Sequence, residues 1–284
     1  MASLQTIKRR IKSVRSTRQI TKAMQMVAVS KLRRAQQSAL GPKAYTEAAR
    51  QLLIDLSGQP VVKRHPLLTH RPVKKTLTIL IAGDRGMAGG YNSNVTRAYA
   101  RLRRDIRAEH LAIGIGKRAT LAVAHSKGVN ELAAFDVDTL DPATNIVVPT
   151  LEKVANMFEA GEIDSVHLIT TEFVSTVKQD VQVSQLLPVI MPEGTKSEAD
   201  ASMEPEPEDL VDFAIRRVLE AELLQAILEA RASEQAARML AMMNATDNAD
   251  DIIGDLTLEF NNERQSSITQ EISEITAGAE AVAK

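Results

Sequence analysis

The 284-residue chain has no cysteine and no tryptophan, and only 3% of it is aromatic. Without cysteine there can be no disulfide, thiolate metal site, iron–sulfur cluster or cysteine nucleophile. Long apolar runs are also missing. None approaches the roughly 20 residues a spanning helix needs, so no membrane span is expected. The first residues are polar and basic with no apolar core behind them, so no secretory leader is expected either. The net charge of −1 excludes a whole-chain attraction to nucleic acid. One local absence qualifies that total: residues 1–46 contain no Asp or Glu at all.

Those 46 residues carry eleven basic side chains, from Lys8 to Lys43, whereas residues 198–284 carry twenty acidic against six basic. Such segregation fits a solvated basic face, a nucleic-acid arm or acidic tail, or two helices of opposite charge lying against each other or against other subunits. Periodicity divides the chain the same way. Residues 1–58 read as helix, with Leu4, Ile7, Ile11 and Val14 on one stripe. The next seam positions, Arg18, Thr21 and Gln25, are polar, and the apolar stripe is expected to shift to Ile20, Met24 and Val27. Gly41-Pro42 is expected to bend or interrupt the helix.

Residues 74–192 alternate short β-branched runs with helical ones, which predicts a mostly parallel sheet faced by helices, a Rossmann-like α/β domain. The predicted strands are 77–82, 111–115, 166–171 and 181–190; the helices are 95–107, 117–125 and 150–159. A proline- and glutamate-containing linker follows. Residues 208–284 then return to helical spacing, with one face from Leu210 to Leu228 and another at Ile268, Ile272, Ile275, Ala279 and Val282. Such a helix would be ~110 Å long. Its weak point on propensity is Asn244–Gly254, which survives as helix only if a partner holds it. Two long terminal helices joined through a compact middle predict an antiparallel pair. The second overhangs the first by about 20 residues, roughly 30 Å. Its apolar tip then needs a partner protein.

Chemical motifs are sparse. Gly114-Ile115-Gly116-Lys117-Arg118-Ala119 fits the dinucleotide pattern between a strand and a helix, with Asp136 and Asp138 near the ribose-binding offset. No clear strand is expected to lead into those acids, which weakens the oxidoreductase alternative. Gly83–Gly90 lacks the Gly-Lys-Ser/Thr ending of a P-loop and reads as a tight strand-to-helix turn. The five histidines show no metal-ligand spacing.

Five segments carry a family resemblance: the opening MASLQTIKRRIKSVRSTRQITKAMQMVAVSKLRRAQ, GDRGMAGGYN at 83–92, SQLLP at 184–188, ASEQAARMLAMMNATDNA at 232–249 and NNERQSSITQEISEI at 261–275. They resemble the F-type ATP synthase gamma subunit from end to end. The resemblance implies a long antiparallel two-helix coiled coil formed by both chain ends, plus a central α/β domain. It implies a rotor shaft with no catalytic site and no cofactor of its own, coupling rotation of a proton-driven membrane ring to conformational change at catalytic sites on beta subunits. The implied partners are the alpha and beta subunits, the epsilon subunit and the membrane c-ring. The implied location is peripheral on the cytoplasmic side of a bacterial inner membrane.

Residue by residue, the resemblance assigns rotor–stator contact and coupling to Met24, Arg238, Arg264, Gln265, Thr269 and Glu271. It assigns a tip turning in an apolar sleeve to Ile268, Ile272, Ile275, Ala279 and Val282. A foot near the membrane ring falls at Glu204, Glu206 and Glu208. The family register predicts Met24 near Arg238 and Ile7 near Leu256. Met87-Ala88 stands where the family often has Leu-Cys, and Ala201 and Met203 replace aromatic residues often found before the foot.

Overall fold

Residues 4–56, 61–137, 141–190 and 207–282 are described by the computed structural model. They divide into two compact units, Ala28–Arg238 and a second formed by Met1–Val27 with Met239–Lys284. Two helices contribute to both: α1, Leu4–Leu56, and α5, Pro207–Val282. They have 53 and 76 residues, close to the lengths read from periodicity.

The larger unit is built on a five-stranded sheet. Its strands are β1 (Lys75–Ile81), β2 (Glu109–Ile115), β3 (Val129–Phe135), β4 (Ser165–Phe173) and β5 (Gln179–Leu187). The order is β3-β2-β1-β4-β5, with β5 alone antiparallel. Helices α2 (Tyr91–Asp105), α3 (Lys117–Ala124) and α4 (Val148–Glu159) make the crossovers. Alternation within the buried strands separates two cores. Leu80, Ala112 and Ile169 point to the face covered by Val95 and Tyr99 of α2 and by Ala119 and Val123 of α3. Leu77, Ile79, Ile113 and Leu168 point to the other face, against α4, Leu53 of α1 and the stretch of α5 from Val211 to Ala230. Here α5 is apolar on most of its circumference because it is enclosed, as a helix inside a core must be.

Two expectations, an interruption at Gly41-Pro42 and the lack of a strand before Asp136, fail in this unit. The helix runs through Gly41-Pro42 without a break. Proline removes one backbone donor, but Thr46 is buried, and its hydroxyl bonds the Pro42 carbonyl at 2.9 Å and the Ala221 carbonyl of α5 at 3.4 Å. Tertiary contact therefore offsets the local cost. Strand β3 also exists where no clear strand was expected. Its VNELAAF sequence has few β-branched residues because it is an edge strand, largely open to solvent.

In the smaller unit α1 and α5 run antiparallel. The Thr21 and Thr246 hydroxyls lie 2.8 Å apart and buried, and Arg18 pairs with Asp250. The apolar stripe does not shift. Ile7 and Thr21 are buried and Ile11, Val14, Arg18 and Gln25 half-buried, so one heptad seam continues with polar members. Ile20 and Val27, at 58% and 57% exposure, face away from it. The predicted register fails with the same cause. It would set Thr21 against Ala241 and Ile7 against Leu256, whereas the observed partners lie about one and a half turns further along. Apolar spacing is degenerate to such slips; a hydroxyl pair and an ion pair in the seam are not. Met24 and Arg238, predicted as neighbours, fall in different units. The doubtful Asn244–Gly254 stretch is helical, held by the same pairs and by the burial of Met242 and Ala249.

Candidate functional site

The carboxyl ends of β1 and β4 mark the sheet's switch point, the usual ligand crevice of an open α/β sheet. Here the chain fills it. Ser233 of α5 donates to the Thr171 carbonyl at 3.2 Å, and the buried Tyr91 hydroxyl donates to the Ala230 carbonyl at 3.2 Å. Glu234 and Arg238, 5% and 8% exposed, form an ion pair at 2.5 Å. Burial, reinforced by the Glu234 charge, pushes the Tyr91 phenol far above its ordinary range.

The dinucleotide pattern is filled in the same way. The Lys117 amide at the start of α3, where a phosphate would bind, donates to the Asp84 carboxylate at 3.0 Å. The Arg118 amide donates to the Gly83 carbonyl at 3.0 Å. Gly116 has φ +97°, and a Cβ there would lie 2.0 Å from the Ala82 carbonyl oxygen. The glycines serve close packing of the chain on itself, and the oxidoreductase alternative loses its site. Asp136 is exposed beyond β3; Asp138 lies outside the described residues.

Gly83–Gly90 is the expected turn from β1 to α2. Asn92 staples it, accepting from the Gly83 amide at 3.0 Å and donating to the Arg85 carbonyl at 3.2 Å. Arg85 and Met87 are exposed at its tip.

In the smaller unit the positions assigned by resemblance cluster at one end of α5. Arg264, Gln265, Thr269 and Glu271 are exposed there, and so are Ile268 at 48%, Ile272 at 59%, Ile275 at 72%, and Ala279. Met24 is half-buried on α1. Val282 closes the helix, and nothing is described of its side chain. Arg238 is the exception, enclosed within the larger unit. Glu204 and Glu206 lie outside the described residues, as does the side chain of Glu208. Sequence reading missed Asp84, Tyr91 and Glu234. Only the i,i+4 spacing of Glu234 and Arg238 in an alanine-rich run hinted at the last of these.

Comparison with known proteins shows the family and the fold. The family model described as ATP synthase matches residues 3–282. The ATP synthase gamma chain of Polynucleobacter necessarius (strain STIR1) is 40% identical over 293 residues, covering 99% of this chain and 100% of its own. The chain belongs to the ATP synthase gamma family. The gamma chain of Acidithiobacillus ferrooxidans (strain ATCC 53993 / BNL-5-31) is 38% identical over 294 residues, covering 99% of this chain and all of its own. Two solved structures share the fold. A chain of the Euglena gracilis mitochondrial ATP synthase (OSCP/F1/c-ring, rotational state 3) aligns with TM-score 0.69 at 17% identity, covering 98% of this chain and 94% of its own. A chain of the Tetrahymena thermophila central stalk/c-ring structure aligns with TM-score 0.63 at 23% identity, covering 80% and 99%. As a gamma-family chain it is a non-catalytic subunit of the synthase. Among the described residues, no helix is long and apolar enough to cross a membrane.

Proposed function

We propose that this chain is the central rotor shaft through which a proton-driven ring changes the conformation of catalytic beta subunits. The observation that carries the reading is apolar surface that the chain's own helix pairing leaves open. In the smaller unit α1 and α5 bury a single seam, yet Ile20, Val27, Ile268, Ile272 and Ile275 remain exposed. Side chains of that size left in water, beside the seam at Ile20 and Val27 and past the described start of α1 at Ile268, Ile272 and Ile275, call for a partner in trans. A ring of alpha and beta subunits supplies an apolar sleeve for the tip residues, including Ala279 and Val282. It also supplies polar neighbours for Arg264, Gln265, Thr269 and Glu271, with Met24 at the level of a catalytic subunit.

The mechanism is differential contact. A shaft without threefold symmetry inside a threefold ring offers each catalytic subunit a different face. Each face favours one conformation, so rotation shifts affinities as a ligand shifts a two-state equilibrium. To swing such an equilibrium from 1:99 to 99:1 the faces must differ by about 5.5 kcal/mol. Burying two or three isoleucines at about 1.5–3 kcal/mol each supplies energies of that order. The foot at Glu204, Glu206 and Glu208 faces the c-ring and the epsilon subunit, on the cytoplasmic side of a bacterial inner membrane.

The test is reconstitution with alpha, beta, epsilon and the membrane sector in vesicles, reading ATP hydrolysis and proton uptake together. The expected result is ATP-driven pumping that requires this chain. Ile272→Asp is expected to lower pumping without altering the chain's stability. Normal pumping by the complex without this chain ends the reading.

A further inference from the structure

Arg238 sits poorly with a role in direct contact. The residue is 8% exposed within the chain alone, and its guanidinium is committed inward: to the Glu234 carboxylate at 2.5 Å and to the Gly86 carbonyl at 3.4 Å. Glu234 in turn lies against the start of the same loop. A Cβ on Gly83 would come within 2.7 Å of the Glu234 carboxyl group. The pair on α5 therefore holds the loop at two points, one on each side of Arg85. Between and beyond those points the loop contains an outlier: Met87 has φ 59°, left-handed backbone that a long side chain rarely adopts, and its side chain is 63% exposed. Such a conformation persists only where its surroundings impose it. The neighbouring Ala88 is buried, and Asn92 staples the loop from α2.

We propose that Glu234 and Arg238 are positioning residues of the rotor. They lock the 83–90 loop, with Arg85 and Met87 exposed at its tip, onto α5. Arg238 then acts on coupling through the shape of this loop and not by touching another subunit. The loop tip becomes part of the surface the shaft presents as it turns. The inference rests on the shaft reading above. It extends that reading to a buried pair because a turning helix imposes its position on a loop only through contacts that do not yield. A buried ion pair is such a contact: removing one partner leaves the other as an uncompensated charge.

Three single variants and one double variant test it in the complete complex in vesicles. Glu234→Gln and Arg238→Gln break the pair from either end. Gly83→Ala pushes the Glu234 carboxylate aside from the loop, without a change in α5 and at a backbone position alanine can adopt. The readouts are protons pumped per ATP hydrolysed, and hydrogen exchange of residues 83–90 in the same complexes. The expected result is a loss of pumping per ATP in all three single variants, with faster exchange in the loop. The double variant Glu234→Gln with Arg238→Gln is expected to be no worse than the poorer single, as for residues acting as one unit.

A loss confined to Arg238→Gln, with Glu234→Gln and Gly83→Ala at the parental ratio, overturns the proposal in favour of direct contact by Arg238. Faster loop exchange with unchanged pumping per ATP in all variants also overturns it, leaving the pair as packing alone. If either α5 variant fails to assemble, Gly83→Ala decides by the same ratio. A parent complex that hydrolyses ATP but never pumps overturns the shaft reading itself, whatever the variants do.

Discussion

Replacing Gly116 with alanine tests whether the chain itself fills the dinucleotide-like turn. Gly116 follows β2 with φ +97° and ψ 143°, a region that costs a non-glycine residue about 1–3 kcal/mol. The added Cβ would also sit 2.0 Å from the Ala82 carbonyl oxygen, which is backbone and cannot swing away. Relief requires separating the ends of β1 and β2. That endangers the Ala82 amide bond to the Ile115 carbonyl at 2.9 Å and the Gly116 amide bond to the Phe135 carbonyl at 2.7 Å. One buried backbone group left without a partner costs about 1–3 kcal/mol. Together the loss is about 2–6 kcal/mol, a large share of the roughly 5–15 kcal/mol typical of a folded domain. Gly254→Ala is the control. Nothing lies within 4 Å of its added Cβ, and mid-helix alanine is favoured by about 0.5–1 kcal/mol. Urea unfolding of the full chain followed by tyrosine fluorescence reads the difference. The signal is free of tryptophan, and two of the three tyrosines, Tyr91 and Tyr99, are buried in the larger unit. A Gly116→Ala midpoint equal to the parent's would refute the argument that backbone fills this turn.

The absence of cysteine makes the observed register directly testable: Thr21→Cys with Thr246→Cys is expected to form a disulfide on oxidation, and Thr21→Cys with Ala241→Cys is not, as read by mobility on a non-reducing gel. Alkaline absorbance titration of the folded chain is expected to leave Tyr91 and Tyr99 protonated through the ordinary phenol range, because burial raises both; full ionisation should coincide with unfolding. Burial, with the nearby His110 charge, holds the His167 imidazole below its ordinary value of 6.5. The unfolded chain therefore binds this proton first, and stability falls as pH drops below about 6.5. His167→Gln should flatten that slope in urea midpoints measured at descending pH; an unchanged slope counts against a burial-depressed His167.

Much of this architecture was legible because it rests on repetition. The heptad Leu4–Ile7–Ile11–Val14 repeats a helical period, and runs such as Leu77–Ile81 declare strands buried on both faces. The segregation of basic and acidic residues likewise announced two unlike helices, and Arg18–Asp250 and Arg50–Glu222 are pairs between them. What escaped was decided by single contacts. Edge strand β3 lacks a burial pattern because one side of it has no neighbour among the described residues. The continuity of α1 through Pro42 depends on Thr46 meeting Ala221. Glu234, Tyr91 and Asp84 look like ordinary surface residues until the fold encloses them.

The linear order of residues therefore determined the element types, the two-helix plan and the family, all of which are properties of local periodicity and short motifs. It also determined what the chain cannot do by thiol chemistry, since the residue is missing. Only the tertiary structure decided the register of the two helices, the filling of the sheet crevice by α5 and the inward commitment of Arg238. Those depend on which polar groups meet across large sequence separations. A hydroxyl pair between Thr21 and Thr246, or a carboxylate pressed against Gly83, carries an energy that no local window contains.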